Sequence, residues 1–501
     1  MSKVLRLQNS LSRQKEDFVP LEEGYVGMYV CGPTVYSNVH LGNIRTFVSF
    51  DMIFRYLKYL GYKVRYVRNV TDVGHLTGDS DDGDDKISER ARLEKIEPME
   101  VVQKYTLHFH EMARIFNMQP PSIEPRATGH IIEQIEMVKA IIDNGFGYEK
   151  NGSVYFDTGA FMKEHDDYGK LSGRIVEELL SESRELKKQS EKKNPSDFAI
   201  WMKADETHLM KWKSPWSIGF PGWHLECSAM STKYLGQTFD IHGGGNDLKF
   251  PHHENEIAQS IGSCGCSPAK YWLHTNMLLL NGKKMSKSDG NTVTAKQLFE
   301  GTSEHVTKSY SPMVIRFFML QAHYGSTLDM SDKALQAAEK GYQRLMEANR
   351  VLQKIEHSYT GEVSTVNDQI LNGTQAVIEE MNDDFNSPKA MARLFELVPV
   401  INSYASGKEE FLKVSNEAIE ALKKCFNDVL FEIFGLRDEL SSGESGASAG
   451  KLSGVMDLVL DLRQSARANK DWPTSDKIRD VLNELEIVVK DGKDGSTWTI
   501  K

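Results

Sequence analysis

One stretch constrains this chain more than any other: Gly24 to Asn43, GYVGMYVCGPTVYSNVHLGN. Its pattern predicts a short apolar strand over Tyr25 to Val30, a turn opened by Cys31-Gly32-Pro33, and a helix entered at His40-Leu41-Gly42-Asn43. A strand that runs through a glycine-bearing turn into a helix N-terminus is a seat for phosphate. The first backbone N–H groups of the helix have no partner within it, and the macrodipole favours an anion. A His at the helix mouth adds a hydrogen bond to a charged phosphate, and Gly42 leaves room for a flat base against the backbone. Taken alone, the stretch is better explained as an ordinary buried strand packed on its helix, so the rest of the chain has to decide.

A chain of 501 residues is expected to hold two to four domains. The next strand is expected over Lys63 to Val70, after a helix from Arg45 to Leu60, which together make a parallel βαβ unit. Asp79 to Asp85 reads as an acidic loop, Ile87 to Met118 as one long helix, Thr128 to Asn144 as a helix closed by Gly145, and Ser153 to Phe156 as a strand. Strand–helix alternation returns at Phe239, with PHHENEIAQSIG as helix and Tyr271 to Leu280 as strand. Residues 120–215 therefore read as an insertion between two halves of one nucleotide-binding sheet, with Glu177 to Asn194 a solvated charge run. Amphipathic helices follow Ser331 to about Gly435, then a Ser/Gly/Ala-rich linker and a small mixed module. The expected fold class is α/β: a Rossmann-like parallel sheet with an insertion, then a helical bundle, then the small C-terminal module.

Five cysteines do not make a disulfide framework at this length, and no apolar run approaches the roughly 18 residues of a membrane span. With no apolar block at the N-terminus, the expectation is a cytoplasmic protein without a membrane partner. A net charge of −11 argues mildly against nucleic acid. The acidity belongs to residues 1–450, however, because basic and acidic side chains balance at nine each from Lys451 to Lys501.

The second strong signal is Gly282-Lys283-Lys284-Met285-Ser286-Lys287-Ser288, on a loop after a predicted strand. Lys284 and Lys287, with hydroxyls between, can clamp the outer phosphates of ATP and stabilise charge that develops on leaving pyrophosphate. Alone, a basic surface loop is the simpler explanation. Paired with the helix-mouth His-x-Gly-Asn on the first strand, and in that order, it is highly specific. At this point the chain resembles the class I aminoacyl-tRNA synthetases: His40 to Asn43 looks like their HIGH motif and Lys284 to Ser288 matches KMSKS in full. Asn43 departs from the motif's second His, exchanging a chargeable contact with ATP for an amide. Asp289 follows KMSKS where an apolar residue is expected.

A third constellation points to the amino acid. Cys31 and Cys227, with His252 and Glu256 four apart on one helix face, form a donor set that suits tetrahedral Zn²⁺. Each has an ordinary alternative as a packed or surface residue. The chain resembles the cysteinyl-tRNA synthetases from end to end, through MYVCGPTVY, EPRATGHI, KLSGR at 170–174, PGWHLECSAM, FDIHGGGNDLKFPHHENEIAQS, KMSKS and MNDDFNSPKAM at 381–391. The resemblance implies that Cys31, Cys227, His252 and Glu256 hold one zinc, with His253 the neighbour most easily confused with a ligand. It implies that Thr71 and Trp223 line the cysteine pocket beside Cys31. It also implies that His40, Gly42, Asn43, Lys284, Ser286 and Lys287 take ATP with Mg²⁺, with His40, Lys284 and Lys287 as the catalytic groups.

The implied reaction has two steps: cysteine attacks the α-phosphorus of ATP, and the adenylate is passed to the terminal adenosine of the cysteine tRNA. Direct capture of the substrate sulfur by a soft-leaning metal accounts for rejection of serine by roughly 10⁴ or more. Cys264, Cys266 and Cys425 have no place in the family pattern and are taken as structural. The implied division is a first half-domain 1–119, a connective insertion 120–215, a second half with zinc ligands 216–280, a KMSKS and stem-contact region 281–330, a tRNA-binding helical bundle 331–438, a linker 439–454 and an anticodon module 455–501. In that module Trp472 and Trp498 are candidates for stacking on unpaired bases, although a Trp in a small module is more often core. The family leans to monomers. Two other readings compete. A mycothiol-type cysteine ligase shares the core but lacks the C-terminal module, and a non-catalytic tRNA-binding regulator would not need His40, Gly42, Lys284 and Lys287 intact.

Overall fold

Four parallel strands, buried along most of their length, build the central sheet; only Tyr25–Val30 is apolar throughout, and the others carry charged residues, histidine or glycine among their apolar positions. In the computed structural model these are β1 (Tyr25–Val30), β2 (Lys63–Arg68), β3 (Phe239–Gly245) and β4 (Ala269–Thr275). The strand order is β4-β3-β1-β2 and every neighbouring pair is parallel. Tyr25 to Val30 of β1 pairs in register with Lys63 to Arg68, and Met28 to Val30 pairs with Ile241 to Gly243. Helix α1 (Leu41–Tyr59) follows β1, α2 (Leu225–Leu235) leads into β3, and α3 (His252–Cys264) joins β3 to β4. The structure describes the chain outside residues 1–3, 75–85, 166–167, 174–191, 207, 286–290, 357–358, 360, 362, 406–412, 440–455, 457–458, 468, 470, 486, 493–494 and 501. The acidic loop at 79–85, most of the 177–194 charge run, the linker, and Ser286, Lys287, Ser288 and Asp289 of the KMSKS segment lie outside the described residues.

The predicted α/β class is what the chain adopts. Between the halves of the parallel sheet lies a five-stranded antiparallel sheet, in the order 147–150, 153–156, 198–203, 218–221, 212–213. The expected long helix over Ile87 to Met118 is two helices, Lys86–Glu94 and Pro98–Ile115. Pro98 cannot donate a helical hydrogen bond and restricts Glu97 to extended backbone, so it opens the second helix at its first turn. The expected strand over Tyr271 to Leu280 also divides, into β4 and a strand Leu278–Leu280 in another sheet. Arg45, buried on α1, takes the intervening carbonyls: its Nη1 donates to Asn276 at 2.9 Å and Met277 at 2.6 Å. An N-terminal hairpin, Arg6–Asn9 with Gln14–Asp17, was not expected.

A second buried cation ties the sheet layer to the helices that follow. Asp51 of α1 accepts from Arg55 Nε at 2.8 Å and from Arg316 Nη2 at 2.5 Å, while its other oxygen accepts the Gln119 N–H at 2.6 Å. Arg316 in turn donates to the carbonyls of Phe434 and Phe116. Helices Asp332–Gln353, Thr365–Asn382, Ser387–Ala405 and Asn416–Asn427 form the expected helical region. The contacts divide the chain at Leu436. Residues 437–501 form a separate unit in which helix Trp472–Glu484 and the hairpin Ile487–Gly492 with Gly495–Ile500 share a core of Met456, Leu460, Leu482 and Ile487. Among the described residues no helix is long and apolar enough to cross a membrane.

Candidate active site

The parallel strands end at a cavity of about 380 Å³, the crevice where doubly wound sheets bind ligands. Its lining includes His40, Asn43 and Met285 together with Cys31, Thr71, Trp223, Cys227 and His252.

The helix mouth is built by its own residues. His40 is the N-cap of α1, with φ −97° and ψ 169°. Its Nδ1 accepts the Gly42 N–H at 3.1 Å, and its backbone N–H donates to Asn43 Oδ1 at 3.3 Å, a reciprocal capping box. Asn43, the departure from the HIGH pattern, therefore closes the cap. Because Nδ1 is an acceptor, the neutral His40 ring carries its proton on Nε2 and can donate to a phosphate oxygen. A Cβ at Gly42 would lie 2.9 Å from His40 Cε1, so a larger residue there would displace the His40 ring. Lys284 lies exposed on the two-residue strand Lys283–Lys284, and its carbonyl accepts from Asn291 Nδ2 at 3.1 Å.

Beside the same cavity, Cys31 follows β1, Cys227 sits in the first turn of α2, and His252 and Glu256 are one turn apart on α3. Gly32 lets the chain turn here, since a Cβ would lie 1.6 Å from the Asn69 carbonyl oxygen. The four donor atoms lie within 4.8 Å of one another and all four residues are buried. Cys31 Sγ is 3.6 Å from Cys227 Sγ and 3.6 Å from Glu256 Oε1, and His252 Nε2 is 3.2 Å from Glu256 Oε1. A tetrahedral ion with sulfur at about 2.3 Å and nitrogen or oxygen at about 2.05 Å separates such atoms by about 3.8, 3.6 and 3.3 Å. The donor set thus fits one four-coordinate metal ion.

Without a cation the two thiols stay protonated. Burial first, then the neighbouring thiol and carboxylates, pushes the Cys31 thiol well up, and burial pushes Cys227 up to about 12. A bound divalent ion reverses this and favours both thiolates. The surroundings orient the ligands. His224 Nδ1 lies 2.9 Å from His252 Nδ1, which directs His252 Nε2 into the cluster, and His242 Nε2 is 2.8 Å from the second Glu256 oxygen. A second set, Cys31, His242, His253 and Glu256, is equally close-packed. His253 Nε2 is 3.3 Å from Cys31 Sγ, and its Nδ1 is 2.8 Å from His274 Nε2. Burial and the adjacent imidazoles hold His253 well below its ordinary value, so it stays neutral.

Thr71 donates to buried Glu226 and accepts from Asn69 Nδ2 at 3.1 Å, and the Trp223 ring packs on His252 with centroids 4.6 Å apart. Sequence reasoning missed His224, Glu226, His242 and His274, although the first two sit inside the PGWHLEC segment. In the C-terminal unit, Trp472 is exposed at the start of its helix and Trp498 pairs opposite Val489 in the hairpin.

Residues 17–340 match the family described as tRNA synthetases class I (C) catalytic domain, 376–437 the DALR domain, and 450–498 the cysteinyl-tRNA ligase anticodon binding domain. The chain is 54% identical over 502 residues to a protein of Phocaeicola vulgatus named cysteine–tRNA ligase, covering 100% of both chains. It is 52% identical over 501 residues to one of the same name from Bacteroides thetaiotaomicron, again covering 100% of both. In fold it is similar to Mycobacterium tuberculosis methionyl-tRNA synthetase in complex with methionyl-adenylate, with a TM-score of 0.57 at 14% identity over 82% of this chain and 89% of that one. The chain therefore belongs to the cysteine–tRNA ligase family of class I aminoacyl-tRNA synthetases.

Proposed function

We propose that the chain activates L-cysteine with ATP and transfers it to the 3′ terminal adenosine of the cysteine tRNA, selecting cysteine through a Zn²⁺ held by Cys31, Cys227, His252 and Glu256. The observation that carries this reading is the convergence of two thiols, an imidazole and a carboxylate beside the cavity that the His40 helix mouth also lines. Zn²⁺ fits because the donors are half sulfur and spaced for four-coordination, and when bound it supplies a Lewis-acid partner that prefers thiolate to hydroxyl. The quartet with Cys227 is favoured over the set with His242, because His242 Nε2 already bonds the second oxygen of Glu256.

The residues do the rest by position and charge. Thr71 and Trp223 bound the side-chain pocket beside Cys31. Cysteine's carboxylate attacks the α-phosphorus of ATP, which arrives with Mg²⁺, and pyrophosphate leaves. His40 Nε2–H donates to the α-phosphate, Gly42 admits the base, and Asn43 holds the cap. Lys284, Ser286 and Lys287 take the outer phosphates, where charge grows as the bond breaks. No side-chain nucleophile is needed. Residues 455–501 read the tRNA, with exposed Trp472 the stronger stacking candidate and Trp498 the second. The rest of the chain divides into 1–119, 120–215, 216–280, 281–330, 331–438 and 439–454, and the enzyme works as a cytoplasmic monomer.

Cysteine-dependent exchange of labelled pyrophosphate into ATP, followed by charging of the cysteine tRNA, tests the reading. Exchange without charging would favour a ligase acting on another amine, and no exchange would leave a tRNA-binding protein.

A further inference from the structure

Among the described residues outside the active site, the backbone brings two part-exposed thiols together. Helix α3 ends at Cys264, and Gly265 follows in the left-handed conformation at φ +76°, capping the helix through its N–H to the Ile261 carbonyl at 2.8 Å. That reversal turns Cys266 back toward Cys264, and the two sulfurs lie 2.7 Å apart. Both residues are part-exposed and neither is bridged, whereas Cys31, Cys227 and Cys425 are buried. The spacing Cys-Gly-Cys reads from sequence as too tight for a usual metal pair, and only the glycine's reversal shows that the thiols face each other.

We propose that Cys264 and Cys266 form a reversible dithiol–disulfide site that reacts with small-molecule disulfides. The chemistry is thiol–disulfide exchange. The Cys266 thiolate attacks one sulfur of R–S–S–R, forming a mixed disulfide and releasing RS⁻. Cys264 then attacks the Cys266 sulfur, closing the ring and releasing a second RS⁻. The two protein protons end on the two released thiols, so the chain gives up two electrons and the small disulfide takes them. The order follows from the surroundings. Burial first, then the hydrogen-bonding contact with Cys266, pushes the Cys264 thiol up to about 11, and its sulfur lies 3.2 Å from the Ser260 carbonyl oxygen, so Cys264 acts second, when the target sulfur is already in contact. This site lies at the opposite end of α3 from His252 and Glu256 and is independent of the zinc assignment.

The test uses the zinc-loaded full chain and hydroxyethyl disulfide as the probe, with intact mass, thiol counting in denaturant and peptide mapping. The expected result is a fall from five thiols to three with no hydroxyethylthio group retained, a Cys264–Cys266 disulfide in the map, and full recovery with dithiothreitol. Cys264→Ser is expected to trap the mixed disulfide on Cys266, and Cys266→Ser to react slower by on the order of tenfold. A mixed disulfide that persists in the unaltered chain, or a bridge mapped to Cys31 and Cys227 with Cys264 and Cys266 still free, would overturn the proposal.

Discussion

Replacing His40 separates two roles that the helix mouth combines. The ring's Nδ1 holds the Gly42 N–H at 3.1 Å, so it caps α1, and the same bond fixes the proton on Nε2, the atom assigned to the α-phosphate. His40→Ala loses both. A lost N-cap costs about 1 kcal/mol of stability. A lost hydrogen bond to a charged group costs about 1.5–3 kcal/mol, which is about 10- to 150-fold in rate when the bond acts in the transition state. His40→Asn keeps a good cap but its side chain is too short to reach the phosphate. The alanine variant is therefore expected to unfold more easily and to lose about 10- to 150-fold in the maximal rate of pyrophosphate exchange. The asparagine variant is expected to regain most of the stability and none of the rate. Thermal denaturation and exchange kinetics at saturating ATP and cysteine give the two readouts. An asparagine variant that exchanges within about twofold of the parent would refute the assignment, since the cap alone would then account for His40.

The other predictions concern the frame. Asp51→Asn removes the anion between Arg55 and Arg316 and leaves two buried guanidiniums uncompensated, so chemical denaturation is expected to show a loss of about 3–5 kcal/mol; a loss below about 1 kcal/mol would mean that the carbonyl bonds alone satisfy Arg316. Lys15 bonds Asp383 at 2.7 Å, joining the N-terminal hairpin to the loop after helix Thr365–Asn382, and holds that carboxyl below its ordinary range. A carboxyl lowered on folding stabilises above its unfolded value and loses that contribution as pH falls through its folded one. Asp383→Asn is therefore expected to cost about 0.5 kcal/mol of stability at neutral pH for so exposed a pair, read as a slightly lower melting temperature, and to melt with the parent once the pH has fallen through the folded carboxyl's value. A difference that survives to pH 2 would contradict the ion-pair origin.

How much of this was readable from the chain varies with the source of each constraint. β1, the turn at Cys31 and the entry of α1 at Leu41 were legible because the pattern is local: an apolar run, a glycine, a cap. The four candidate ligands were legible as residue types, and their convergence followed only through likeness to a family, since they come from three separate elements. What failed was set by distant partners. The run from Tyr271 to Leu280 is continuous in sequence, and it breaks because Arg45 takes two carbonyls in its middle. The hairpin Arg6–Asn9 is four residues of mostly polar character, and its place is set by buried Asn9, whose side chain accepts the Trp272 N–H at 3.0 Å and donates to the Lys270 carbonyl at 3.0 Å. The histidines around the four candidate ligands were invisible for the same reason, because each ring's partner lies on another element.

The account rests on zinc choosing the substrate, and metal analysis combined with substrate choice tests it most directly. Purified chain is expected to hold one zinc per molecule and to activate cysteine over serine by roughly 10⁴ or more, and chelation is expected to abolish cysteine-dependent pyrophosphate exchange until zinc is restored. Chain freed of metal that still activates cysteine and still rejects serine to the same degree would contradict it.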